Sequence, residues 1–446
     1  MLKRKFYQKM LYWKQDAKGT TALLINGARR VGKSYLCRQF AKNEYKSFII
    51  IDFANVPSEI THLVENESYD LDLFFLKLAT FYSTHLYERE SLIIFDEIQL
   101  FPRARQLIKY LVADGRYDFI ETGSLLSIKR NVKDIVIPSE ETHLTMYPLD
   151  FEEFLWAKGD STTIPMLKKF FDKRISLGTA LHRKILNDFR QYMLVGGMPQ
   201  AVNEFLISND FSKVDQVKRN ILSLYRNDIV KYAGNNQNKV LAIFDKIPGQ
   251  LAKKEKKYIL ASLSKEARFR EYEDAFMWLD DAMISNTCFN ATDPNVGLAL
   301  SSDFATRKTY MLDTGLLVTQ SFFDKEFSDN ELYRSILIKK LNINEGMLME
   351  NIVAQIFRTS GRKLFFYSRN DKENRKNHME IDFLLADNKY ISPVEVKSSN
   401  YRKHSSLDKF RRKFDIRIKE PIILYQNDIM IKEGVLHLPI YMAIFL

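Results

Sequence analysis

The chain has 446 residues, of which 46% are hydrophobic and 28% charged. That is the make-up of a globular protein with several domains of roughly 100–200 residues, and it excludes a mostly disordered chain. Lys and Arg number 67 against 56 Asp and Glu, a formal charge of +11 that suits acidic partners such as nucleic acid and equally suits a solvated, lysine-rich surface. Two cysteines, Cys37 and Cys288, are too few for a disulfide framework or a cysteine zinc site and fit a reduced, cytoplasmic setting. The basic N-terminus lacks the apolar stretch of a signal peptide. No apolar run approaches the roughly 20 residues of a membrane helix, so no membrane partner is expected.

Residues 1–150 alternate apolar runs with amphipathic ones. Strands are expected at 21–27, 47–53, 91–96, 117–123 and 142–149, with helices at 33–43 and 71–90 between them. This alternation predicts an α/β domain around a parallel sheet. Residues 151–239 read as a helical region interrupted at Val195-Gly-Gly-Met-Pro199. Residues 240–344 read as three short helices and a hairpin (286–291 and 308–312), an order that resembles a winged helix. Residues 345–446 read as one helix, strands at 364–369, 380–387 and 391–399, a helix at 406–415 and a strand at 420–426.

Residues 27–34, Gly27-Ala28-Arg29-Arg30-Val31-Gly32-Lys33-Ser34, complete the GxxxxGK[ST] pattern between an expected strand and an expected helix. Glycines let the backbone curl so that successive N–H groups face phosphate oxygens, and the helix N-terminus adds a favourable dipole. Lys33 is placed to reach the β- and γ-phosphates of ATP and Ser34 to bind Mg²⁺, with Tyr35 next on the helix. The strand Leu92-Ile93-Ile94-Phe95 delivers Asp96 and Glu97 at the C-terminal edge of the sheet, where ligands bind in open α/β folds. Asp96 is expected in the Mg²⁺ shell, and Glu97 is expected to orient or deprotonate the attacking water. Thr122 and Ser124 either contact the γ-phosphate or satisfy turn backbone. Arg103 and Arg105 read as a solvated helix face or as an arginine finger across an oligomer interface. Cys37 reads as core.

The segments GARRVGKS, IIFDEIQ, ETGSLL and MYPLDFEEFL resemble the AAA-type ATPases widespread in bacteria and archaea that carry a C-terminal domain of unknown function. VGGMPQAV, YRNDIVK, MLDTGLL and EIDFLL with VEVKSS resemble the C-terminal half of that family. The resemblance spans nearly the whole chain and implies ATP and Mg²⁺ chemistry. No sensor-2 arginine matches, which leaves open a switch-like ATPase of the signalling kind.

In the C-terminal region, Glu395 and Lys397 lie two apart on one expected strand and so share a face. Asp382 lies on the neighbouring expected strand, and Glu350 on the preceding helix. With the order α-β-β-β-α-β, this resembles the PD-(D/E)xK restriction-endonuclease-like core. The resemblance implies Asp382 and Glu395 as Mg²⁺ ligands, Lys397 as the residue that activates water, and Glu350 as a further carboxylate. The alternative is a salt-bridged strand pair beside an unrelated aspartate. Such a fold also binds nucleic acid without cutting it.

Basic segments flank this site. One holds Arg362, Lys363, Arg369, Lys372, Arg375 and Lys376; the other holds Arg402, Lys403, Lys409, Arg411, Arg412, Lys413, Arg417 and Lys419. A third, at 253–270, lies in the winged-helix-like region. They suit a nucleic-acid backbone, DNA ahead of RNA, or a solvated charged face. His85, His143 and His182 show no metal-ligand spacing, and His378, beside Glu380 and Asp382, reads as a solvated loop histidine or as a neighbour of the second site. The expected protein is an ATPase whose nucleotide state is coupled to a nuclease-like domain, or else a nucleotide-dependent switch that binds DNA or a partner. A homo-oligomer or a protein partner fits either.

Overall fold

The computed structural model describes residues 2–123, 139–253, 257–263, 268–324, 330–337, 345–369, 378–387, 389–399 and 402–446. Ser124 and several of the expected basic residues, Lys254, Lys256, Lys265, Lys372, Arg375 and Lys376, lie outside the described residues. The chain divides into two compact units: residues 3–147 with 281–283, and residues 148–280 with 284–446. No helix among the described residues is long and apolar enough to cross a membrane.

The first unit contains strands β1 (Ala22–Gly27), β2 (Ser47–Asp52), β3 (Ser91–Asp96), β4 (Asp118–Gly123) and β5 (Glu141–Met146). They form one sheet in the order β2-β3-β4-β1-β5, and every pairing is parallel. β1 and β4 are buried along their whole length, so both faces of the sheet are covered, as a parallel sheet requires. Helices α1 (Lys5–Ala17), α2 (Lys33–Glu44), α3 (Ser58–Asn66), α4 (Leu71–Phe81) and α5 (Pro102–Asp114) surround it. Ile93, Phe95 and Phe119 of the sheet pack with Ile60, Phe74, Ile108 and Leu111 of the helices in one apolar cluster. The strand order sets the chemistry: β4 lies between β1 and β3, so a β4 side chain stands between the β1 loop and the β3 carboxylates.

The second unit begins with helices. Asp150 and Glu153 cap helix Phe151–Ala157 reciprocally, and each satisfies an N–H that has no partner within the helix. Helix Thr179–Val195 ends at Gly196, which has φ +84°, and Pro199 starts the next helix. The interruption is held by two distant segments. The Leu149 N–H donates to the Gly197 carbonyl at 2.7 Å. Asp313 accepts from the Gly197 N–H at 2.6 Å and from the Leu316 N–H at 3.0 Å, where it caps helix Thr314–Ser321.

Two sheets follow. β6 (Ser285–Ala291), β7 (Ser302–Met311), β8 (Leu364–Arg369) and β9 (Met379–Ile381) form the order β7-β6-β8-β9. β10 (Phe383–Asp387), β11 (Tyr390–Val396), β12 (Ile422–Tyr425), β13 (Met430–Lys432) and β14 (Val435–Pro439) form the order β10-β11-β12-β14-β13. The expected hairpin at 286–312 is present, but it is not a free wing. β6 pairs antiparallel with β7 on one edge and parallel with β8 on the other. That sheet therefore runs across residue 344, where a boundary was expected. The middle of the three expected helices is a single 3-10 turn, Leu260–Ser262, among the described residues. The expected strand 380–387 breaks at Asp382, with β9 joining one sheet and β10 the other.

A Cβ at Gly197 would lie 2.1 Å from the Leu149 carbonyl oxygen, whereas one at Gly249 would meet nothing within 4 Å. Gly197→Ala is expected to destabilise the second unit by about 1–3 kcal/mol. Gly249→Ala, inside helix Gln237–Leu251, is expected to be neutral or stabilising. Chemical denaturation of the two variants checks both.

Candidate functional sites

β1 ends at Gly27 and α2 begins at Lys33, so residues 28–32 form the turn between strand and helix. A Cβ at Gly27 would sit 2.4 Å from the Met146 carbonyl oxygen, which leaves no room for a larger residue. Gly32 has φ +97° and Arg30 φ +71°, the left-handed conformations that curl the loop back onto the helix N-terminus. Lys33 is buried, and its ammonium donates to the carbonyls of Gly27 at 3.0 Å and Ala28 at 3.1 Å. Burial pushes the Lys33 pKa below its ordinary value, against the attraction of Glu97 and Asp96. Ala28 and Val31 are buried, whereas Arg29, Arg30, Ser34 and Tyr35 are exposed.

Three of the expected residues converge in front of this loop. The Ser34 hydroxyl donates to Asp96 Oδ1 at 2.9 Å. The Thr122 hydroxyl, on the intervening β4, donates to the same oxygen. Glu97, in the left-handed region with φ +54°, donates its N–H to the Thr122 hydroxyl at 3.4 Å. Its carboxylate accepts from the Gln99 amide. Left-handed backbone at a non-glycine residue costs about 1 kcal/mol or more; here it turns Glu97 away from the line of β3. Thr122 is fully buried and orients the acidic pair.

Mg²⁺ takes oxygen ligands and fills its shell with phosphate and water. A hydroxyl and a carboxylate 2.9 Å apart, beside a buried ammonium and a helix N-terminus, are the donor set that a Mg²⁺-nucleotide needs.

Arg105 differs from both expectations for it. It is buried, and it holds Glu141 through Nε at 2.9 Å and Nη2 at 2.7 Å, which ties α5 to β5. It is neither a solvated helix residue nor available as a finger. Arg103 is exposed beside Gln106. Cys37 is buried as expected, and burial pushes its thiol pKa up.

The C-terminal constellation is also brought together, around a residue that the sequence reading passed over. Lys308 of β7 is fully buried. Its ammonium lies 2.9 Å from Glu380, 3.2 Å from Asp382 and 3.7 Å from Glu350. Burial disfavours the Lys308 charge, but neighbouring Tyr310 and the three carboxylates outweigh it and raise its pKa well above the ordinary lysine value. The Tyr310 hydroxyl donates to Glu350 at 3.0 Å, and the Val396 N–H donates to Asp382 Oδ2 at 2.9 Å. Glu395 and Lys397 form their own ion pair at 2.7 Å. Burial pushes the Glu395 carboxyl up, with Lys397 opposing. Among the described residues, no three His, Cys, Asp or Glu side chains are arranged to hold a metal ion.

A signal for Lys308 was present. Lys308 heads the expected strand 308–312, whose Tyr310, Met311 and Leu312 are large and apolar or aromatic, and residues 307–311 are buried on both faces.

Residues 19–155 match the model of a family described as an AAA domain. With the parallel sheet and the loop of residues 27–34, this decides the first unit. Residues 19–155 form an AAA-type P-loop domain. Residues 186–326 and 345–442 match two families described as domains of unknown function, DUF8612 and DUF4143. No curated protein matches the chain.

Among solved structures, the chain is similar to the Walker-type ATPase PABY2304 of Pyrococcus abyssi, with 15% identity and a TM-score of 0.44, covering 72% of this chain and 96% of that one. It is also similar to the ORC1 protein of Aeropyrum pernix, solved in complex with DNA, with 11% identity and a TM-score of 0.29, covering 72% and 93%. A third similarity is to a signal-transduction ATPase of the STAND class from Pyrococcus horikoshii, with 12% identity and a TM-score of 0.29, covering 80% and 48%.

Ser34→Ala and Asp96→Asn are each expected to weaken the Mg²⁺-dependent part of nucleotide binding by about ten- to a hundredfold. Binding measured in EDTA should change far less. Titration with a fluorescent ATP analogue, with and without Mg²⁺, reads the difference.

Proposed function

We propose that the protein is a Mg²⁺-dependent ATPase whose nucleotide state governs a C-terminal, restriction-endonuclease-like domain that acts on or binds nucleic acid. The observation that carries the ATPase reading is the convergence of Ser34, Asp96 and Thr122 in front of the loop that buries Lys33. Gly27, Ala28, Arg29, Arg30, Val31 and Gly32 cradle the phosphates, with Tyr35 on the first turn of α2. Lys33 exchanges its two carbonyl partners for phosphate oxygens. Ser34 and Asp96 hold Mg²⁺, which when bound neutralises phosphate charge. Glu97 accepts a proton from the attacking water or orients it, and Gln99 and Thr122 fix its direction.

The region from 151 to 344 is assigned the task of coupling nucleotide state to residues 345–446. For the second unit, nucleic acid is supported by the amphipathic helix Ser405–Phe414. It buries Leu407 and Phe410, and residues 402, 403, 412 and 413 on and before it are exposed cations. Part of the basic segment serves the fold instead: Arg417 pairs with Asp293 at 2.5 Å and Lys419 with Asp387. Contacts of exposed cations with phosphates position a backbone without reading sequence. Both cysteines are buried and unpaired, which suits a reducing, cytoplasmic setting.

A second reading, a nucleotide-dependent switch that docks on DNA or a partner without cutting, is favoured by the Lys308 ammonium 3.2 Å from Asp382, one of the two carboxylates expected to hold metal.

Lys33→Ala and Glu97→Gln are each expected to lower ATP turnover by about a hundredfold or more, with nucleotide binding retained in Glu97→Gln. A steady-state phosphate-release assay checks this. Normal turnover in both variants would refute the site assignment.

A further inference from the structure

The restriction-endonuclease-like reading of residues 345–446 implies a divalent metal held by Asp382 and Glu395. The side chains present do not fit that group. Glu395 is buried, and although neither of its oxygens has a hydrogen-bond partner among the described residues, Lys397 already pairs with it at 2.7 Å. Asp382 uses one carboxylate oxygen on the Val396 N–H at 2.9 Å and the other on Lys308 at 3.2 Å. Glu380 and Glu350, the remaining acidic groups at this spot, also face Lys308, at 2.9 and 3.7 Å. The common neighbour of the three acids is therefore a covalently attached monovalent cation.

The position of Lys308 is fixed from several sides. Its backbone lies in β7, opposite Cys288 of β6. Phe366 of β8 presents its ring 5.1 Å from the ammonium, and Tyr310, two residues along β7, bonds Glu350. A fully buried ammonium cannot leave without stranding the buried Glu350 and two partly exposed carboxylates, Glu380 and Asp382. Breaking such a set from one side is strongly unfavourable. A divalent ion entering here would have to expel that ammonium or sit beside it, and like charges at this separation in a buried site repel strongly.

We infer that Lys308 is the resident cation of the Glu350, Glu380 and Asp382 cluster, occupying the Asp382 side of the place where a nuclease of this fold would hold its metal, so that this domain binds without a divalent ion. The inference rests on the endonuclease-like reading of residues 345–446 and deepens it. The domain engages its ligand through fixed charge, and its ionic state does not depend on the metal supply. In the same way, Lys397 is committed to Glu395 rather than to a metal-bound water.

The test is Mn²⁺ binding to the full chain without nucleotide, read by electron paramagnetic resonance of free Mn²⁺, for the wild type, Asp382→Asn, Lys308→Met and the Lys308→Met/Asp382→Asn double variant. The wild type is expected to take up no more Mn²⁺ than Asp382→Asn. Lys308→Met is expected to gain one site, and the double variant to lose it again. Mn²⁺ uptake by the wild type that Asp382→Asn abolishes would overturn the inference, as would a folded Lys308→Met that gains no site. If Lys308→Met does not fold, the comparison of wild type with Asp382→Asn decides alone, in the same two directions. DNA retention measured on the same samples keeps the nucleic-acid reading separate. Loss of all DNA binding with the Mn²⁺ result intact sinks that reading and leaves the role of Lys308 standing.

Discussion

A lysine ammonium withdrawn from water must find oxygen, and the two candidate sites are two solutions to that requirement. Lys33 is satisfied by the carbonyls of its own loop, neutral groups that a phosphate outcompetes. Lys308 is satisfied by three carboxylates on other elements, whose fixed charge no incoming group improves on. The first arrangement is exchangeable and belongs to a site with a mobile ligand. The second is permanent and behaves as part of the core. The difference follows from the partners rather than from the lysines.

The architecture around each lysine explains why its partners are where they are. In the first unit the order β2-β3-β4-β1-β5 inserts β4 between the loop strand and the acidic strand, so Thr122 can bridge Asp96 and Glu97. In the second unit, β6 is paired on both edges. That double pairing carries β7, and with it Lys308, into the neighbourhood of Glu350 and Asp382. A free wing would have left Lys308 in solvent. Asp313 performs a comparable task in the helical part, closing the Gly196-Gly197 break while capping its own helix.

The first unit was legible because its signals are local. Short apolar runs bounded by turn residues gave five strands within a few residues of their observed limits, and the spacing of residues 27–34 gave the loop. The second unit was less legible because its decisive features are long-range. The run 380–387 reads as one strand, yet the bend at Asp382 divides it between two sheets, and nothing local announces which partner each half will find. Arg105 reads as an exposed cation on a helix until Glu141, 36 residues away, is known to meet it. Lys308 lies 74 residues from Asp382, and only the apolar run that follows it hinted that it is buried. The β13–β14 hairpin after residue 426 was not anticipated, because the expected order of elements ended at β12.

We propose that nucleotide state governs how the C-terminal domain engages nucleic acid, and the position of Lys308 beside Asp382 favours binding over cutting. The most direct measurement is the anisotropy of a labelled DNA duplex titrated with the full chain, with Mg²⁺ alone and with Mg²⁺ plus a non-hydrolysable ATP analogue, followed by electrophoresis of the recovered DNA. The account predicts salt-sensitive binding, a several-fold change in affinity when the analogue is present, and intact DNA. Equal affinity in both states, or metal-dependent fragments abolished by Asp382→Asn, would contradict it.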